Sequence, residues 1–96
     1  MMRIKMTGYI HTVGCPKFED TFVAMDVQGI HDLLDLLSKD KVVVSEMQDV
    51  DTGVYYFTGA QVEAMGHDRG VSGDPDIWCY TSDEFGRLTF RNLMKA

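Results

Sequence analysis

The sequence predicts an α+β fold: a single antiparallel sheet of about six strands in the order ββαββ(α)ββ, with one main amphipathic helix packed on one face. Three observations carry that prediction. Only Asp26 to Lys39, DVQGIHDLLDLLSK, spaces its apolar residues like a helix, with Ile30, Leu33, Leu34 and Leu37 recurring on a 3.6-residue period and Val27 extending the stripe. The segments on either side alternate with period 2, as half-buried strands do. Turn residues separate those segments in pairs, which favours hairpins and hence antiparallel pairing.

The elements follow in chain order. Arg3 to Val13 sets Ile4, Met6, Gly8 and Ile10 on one side and Lys5, Thr7, Tyr9 and His11 on the other. Gly14-Cys15-Pro16 ends it, because proline has no amide to donate to a ladder. Phe18 to Met25 is rich in aromatic and β-branched residues, places Phe18, Phe22 and Ala24 on one side, and reads as the return strand of a hairpin. Asp26 is a good N-cap for the helix, and Lys39 and Lys41 fall at its C-terminal end, where the helix dipole favours cations.

Lys41 to Met47, with three consecutive valines, is the strongest strand signal, since β-branched side chains lose little freedom in a sheet and more in a helix. The turn Asp49 to Gly53 then leads into Val54 to Phe57. Thr58 with Gln61 forms a capping-box pattern for a short helix over Gln61 to Met65, closed by Gly66; continuation of the strand through Val62 is the competing reading. His67 to Asp76 has two glycines, a proline and no period, and is expected as a long surface loop. Ile77 to Thr81 and Arg87 to Leu93 form the last hairpin around Ser82 to Gly86. Residues 1–96 make one domain, with neither repeat nor linker.

Composition narrows the function classes. Nine Lys and Arg face fifteen Asp and Glu, a formal charge of −6. The carboxylates all lie between Glu19 and Glu84, where only Lys39, Lys41 and Arg69 oppose them. Such an acidic body argues against direct binding to nucleic acid or to an anionic membrane, both of which need cations. No apolar run is long enough to span a bilayer, and the alternating N-terminus does not read as a secretory signal, so a cytoplasmic location is expected, with Cys15 and Cys79 as free thiols.

No catalytic or cofactor template is met, and neither a cofactor nor a metal is expected. His11, Cys15, His67 and Cys79 would suffice chemically for zinc, but only the first two have the close spacing of a half-site. Asp49-Val-Asp51 opens like a calcium loop, yet Ala60 stands where the closing glutamate belongs. The acidic pairs all adjoin turns, where carboxylates are simply solvated.

The reading that remains is a small acidic, non-catalytic protein-interaction module, an inhibitor or regulator that docks on a basic, nucleic-acid-binding protein by presenting carboxylates where phosphates would go. An origin in a phage or mobile element is the expectation that goes with it. Alternation turns some of the clustered aromatics away from the helix, so the expected partner-binding residues are Tyr55, Phe57, Asp68, Asp74, Asp76, Trp78 and Tyr80. The cations Arg3, Lys5, Arg87, Arg91 and Lys95 at the two ends would make a positive strip if the ends meet, and would support a salt-sensitive homodimer. The alternative is a small ligand- or metal-binding domain, or a minor thiol enzyme, using His11, Cys15 and the 67–76 loop.

Overall fold

The computed structural model describes residues 1–70 and 75–94. Strand β1 (Met2–Ile10) and strand β2 (Lys17–Ala24) form the expected hairpin, in register from Met2 opposite Ala24 to Tyr9 opposite Lys17. β1 ends three residues earlier than its alternation suggests, because the chain turns there: the Thr12 amide donates to the Ile10 carbonyl at 2.8 Å and the Cys15 amide to the Thr12 carbonyl at 3.0 Å, with Gly14 and Cys15 in the left-handed region.

Helix α1 (Val27–Lys39) starts where Asp26 accepts from the Gly29 amide at 2.9 Å. Strand β3 (Val42–Asp49) then pairs with the free side of β1 instead of beginning a separate layer. β1 therefore lies in the middle of the sheet. β2 and β3, both antiparallel to it, run parallel to each other, and α1 carries the chain between them. Ile30 is fully buried, and Val27, Leu33, Leu34 and Leu37 pack against the core formed by Ile4, Met6, Ala24, Met47, Tyr56, Ile77 and Cys79. Leu36, off the stripe, is exposed.

Pairing of β1 with β3 shifts by one residue at Thr7/Gly8, where Gly8 faces Val44 and Thr7 faces Glu46. Ser45 is the extra residue of a β-bulge, so Val42 and Val44 point inward before it while Met47 and Asp49 do so after it. A Cβ on Gly8 would lie 1.9 Å from the Val43 carbonyl oxygen, and no side chain fits there.

The expected single six-stranded sheet is not what forms. Strand β4 is only Tyr55–Tyr56, and Thr58 turns the chain into a second helix, α2 (Gly59–Ala64). Both halves of the capping box are made: the Gln61 amide donates to Thr58 Oγ1 at 3.2 Å and the Thr58 amide to Gln61 Oε1 at 2.9 Å. That fixes the helix start two residues before the expected one. Gln61 also donates through Nε2 to the Ser45 carbonyl at 3.0 Å, tying α2 to the bulge.

With β4 so short, strand β5 (Trp78–Ser82) joins the backbone ladder of the sheet, among the described residues, through one bridge to Phe57, whose two amide-to-carbonyl bonds measure 2.7 and 2.8 Å. β5 pairs on its other side with β6 (Leu88–Asn92). The result is a four-stranded sheet in the order β2-β1-β3-β4, a two-stranded ribbon β5-β6, and two helices, the main one and the expected short one. Among the described residues no helix is long and apolar enough to cross a membrane.

Candidate functional site: an aromatic face and a groove

Alternation along the short strands sorts the aromatic residues. Tyr56 points into the core, where burial first, and then the nearby Asp49 and Cys79, push its phenol above the usual tyrosine range. Tyr55 and Phe57 take the other face. On the ribbon, Cys79 is in the core while Trp78 and Tyr80 share the opposite face with Phe90 and Leu88 of β6.

Those rings form one cluster. The Phe57 centroid is 5.6 Å from Tyr80 and 6.1 Å, edge-on, from Phe90; Tyr80 and Phe90 are 6.0 Å apart. His67 closes one end, 5.1 Å from Phe90 and 5.4 Å from Trp78. These separations are typical of favourable aromatic pairs. Tyr80 is 42% exposed and Leu88 64%, so the cluster grades from a covered end at Trp78 to an open end on the ribbon.

What covers Trp78 is a polar clasp. Asp76, 9% exposed, accepts from Arg69 Nε at 3.0 Å and Nη2 at 2.9 Å, and also from the Trp78 indole at 3.0 Å. The fork matches both carboxylate oxygens, the geometry in which a buried arginine pair is most favourable. Gly59 of α2 lies hard against the pair, and a Cβ there would fall 2.0 Å from Asp76 Oδ2. Glu63 of α2 adds a carboxylate 3.8 Å from Arg69 Nε.

The expected partner-binding residues are thus divided. Tyr55 and Tyr80 are exposed and Phe57 half-buried. Asp68 is exposed and accepts from the Gly70 amide at 2.8 Å. Asp76 and Trp78 are buried in the clasp beside α2, where the Trp78 indole donates to Asp76. Asp74 lies outside the described residues. Sequence reasoning missed Phe90 and Leu88, although the alternation of Leu88, Phe90 and Asn92 against Thr89 and Arg91 places them on one face. It also missed Arg69, for which spacing gives no signal.

A second feature is a groove of about 730 Å³ at the turn end of β1 and β2, lined by Thr7, Tyr9, His11, Cys15, Lys17 and Glu19, with the bulge residue Ser45 at its edge. It gathers His11 and the exposed Cys15, while Cys79 is buried in the core and His67 belongs to the aromatic cluster. The four candidate zinc ligands are therefore split, and among the described residues no three His, Cys, Asp or Glu side chains converge on a point that could hold a metal.

The terminal cations are also distributed differently from a continuous strip. Arg3 pairs with Asp51, which holds the Arg3 guanidinium above and the Asp51 carboxyl below their usual ranges. Lys5 lies 3.4 Å from Glu19, and Arg87 Nε 2.8 Å from Asp83. Three of the five cations thus meet carboxylates within their own chain. Lys95 lies outside the described residues.

No known protein family matches the sequence, no curated protein is significantly similar to it, and no solved structure matches its fold.

Proposed function

We propose that this chain is a small non-catalytic interaction module that docks through the open end of its aromatic cluster on a basic protein. The observation that supports the reading is the row of Phe57, Tyr80, Phe90 and Leu88, which leaves Tyr80 and Leu88 accessible beside a clasp that fixes the row's other end. Rigid aromatic side chains with low entropy cost on binding are the usual anchors of an interface. Carboxylates adjoin the row in sequence, Glu63 and Asp68 on the α2 side and Glu84 at the ribbon turn, and an acidic rim suits a cationic surface. Inhibition of a nucleic-acid-binding protein in the cytoplasm, by occupying the surface that phosphates would take, is the form this docking would have.

The test is a titration of purified basic nucleic-acid-binding proteins with the wild-type chain and with Tyr80→Ala, at low and at moderate salt. Binding that weakens with salt, and that drops roughly tenfold or more in the variant, is the expected result. Absence of binding to any of them, or equal binding by the variant, contradicts the proposal.

The groove supports a second reading, a small-ligand site, because His11, Cys15 and Lys17 share one concavity. A thermal-shift screen against metabolites, nucleotides and metals tests it, since a ligand held only by the folded form raises the melting temperature.

A further inference from the structure

The exposed edge of β2 has one self-complementary register. Ile10 and Pro16 are a hydrogen-bonded pair, and alternation from there makes Gly8/Phe18, Met6/Asp20 and Ile4/Phe22 hydrogen-bonded as well. The other side of β1 agrees: its odd-numbered residues bond to the β3 side, as His11 N–H does to Lys41 and Val50 N–H does to Arg3. The amides and carbonyls of Lys17, Glu19, Thr21 and Val23 therefore point away from β1, along the outer edge of the sheet, and all four residues are exposed.

One of those four amides is already occupied. Asp20 Oδ1 accepts from the Thr21 N–H at 2.8 Å, so an added strand finds its free donors at Lys17 and Glu19 on the turn side of that cap. For two copies pairing antiparallel about a two-fold axis, the possible centres are then few. An axis through Lys17 sets ammonium against ammonium, one through Glu19 sets carboxylate against carboxylate, and one through Asp20 does the same on the other face. Centres from Thr21 onward require its capped amide. An axis through Phe18 has none of these faults. It places Lys17 opposite Glu19 of the second copy, twice over, and the two Phe18 rings side by side on the helix-bearing face, in the closely spaced non-hydrogen-bonded position.

We infer that β2 pairs edge to edge with β2 of a second copy of this chain, in the register that sets Lys17 against Glu19 and Phe18 against Phe18. Glu19 then sits between Lys5 of its own strand pair, 3.4 Å away, and Lys17 of the second copy. Thr21 of the second copy comes opposite Cys15, beside the groove lined by Tyr9, His11 and Cys15. The shared ladder is short and the contact small, so the dimer is a weak and reversible one that forms on concentration. The charge pairs are on the rim and make it salt-sensitive. This surface is distinct from the aromatic face, and the inference does not rest on the proposed docking function.

The experiment is sedimentation velocity of the full chain over a concentration series, for wild type, Lys17→Glu, Glu19→Lys and an equimolar mixture of the two variants. Wild type dimerises, each variant alone associates about tenfold more weakly or not at all, and the mixture restores a heterodimer, because glutamates at 17 and 19 of one chain then meet lysines at 19 and 17 of the other. Amide exchange on the unmodified chain gives a second readout: the Lys17 and Glu19 amides become protected as concentration rises, and Thr21 does not change. A wild-type chain that stays monomeric throughout, a dimer indifferent to both variants, or a mixture no stronger than its components overturns the inference.

Discussion

The four-stranded sheet and the β5-β6 ribbon are built from similar strands and end in different states. In the sheet, β1 is flanked on both sides, and α1 covers the face that carries Ile4, Met6 and Met47, all fully buried. In the ribbon only the base is buried, at Ile77, Trp78 and Cys79, while Thr81, Ser82, Leu88 and Thr89 are exposed whichever way they point. A two-stranded ribbon is marginal by itself. What holds this one is at its base: the Phe57 bridge, the Asp76 clasp and the packing of Cys79 and Leu93 on the core. The difference teaches that burial along its whole length secures the sheet, whereas the element that carries the open aromatic face is secured only at its base, by a few polar contacts and a few buried side chains.

Substitutions separate the two regions. Gly8→Ala has the largest expected effect, because its Cβ would press on the Val43 carbonyl, which is backbone in the centre of the sheet. A loss of about 4 kcal/mol or more is expected, in the exceptional range for one substitution, read as a fall in the denaturant midpoint. A loss near zero would mean that the bulge is not built as described.

Asp76→Ala comes next. It leaves the Arg69 guanidinium and the Trp78 indole without their acceptor in a buried setting, at a cost of about 3 kcal/mol or more. Its mark is regional: amides of α2, the 66–70 segment and the ribbon exchange faster, while those of β1 stay slow. Uniform acceleration over both regions would erase the distinction between them.

The smallest effect is at the ribbon turn. Asp83 accepts the backbone amides of Arg87 and Phe85, each at 2.9 Å, and the Arg87 side chain, and these bonds hold its carboxyl below the usual aspartate range. Because the folded value lies below the unfolded one, the contribution is complete above about pH 4 and is lost as pH falls through the folded value. Phe85 and Arg87 amide exchange should accelerate in acid before that of β1. Unchanged turn amides at a pH where Asp83 is protonated would contradict the assignment.

What the sequence disclosed follows from local physics. The stripe of α1, its Asp26 cap, the β1-β2 hairpin and the Thr58/Gln61 box are all set by residues within a turn or two of each other, and each formed. Strand order was not legible in the same way. Pairing of β1 with β3 joins residues about forty apart, and no period or turn signal encodes it. Gly8 read as an ordinary inward position, and its need to be glycine arises only from the close approach of Val43. The aromatic face was half legible: alternation turned Tyr55, Phe57 and Tyr80 outward, but the Arg69 fork that buries Asp76 and Trp78 is a tertiary event. Acidic excess was equally ambiguous, since Asp26, Asp49, Asp76 and Asp83 serve a cap, two turns and a clasp, roles that a charge count does not distinguish from solvated acids.

One aromatic face of the molecule is open while the other tyrosine-bearing face is closed by the core. Hydroxyl-radical footprinting of the chain, free and with a basic partner that it binds, tests this most directly. Tyr80 and Tyr55 should be modified readily in the free protein and Tyr56 slowly, with Tyr80 and Phe90 protected on binding. Slow modification of Tyr80 in the free monomer, or protection that falls elsewhere when the partner binds, would contradict it.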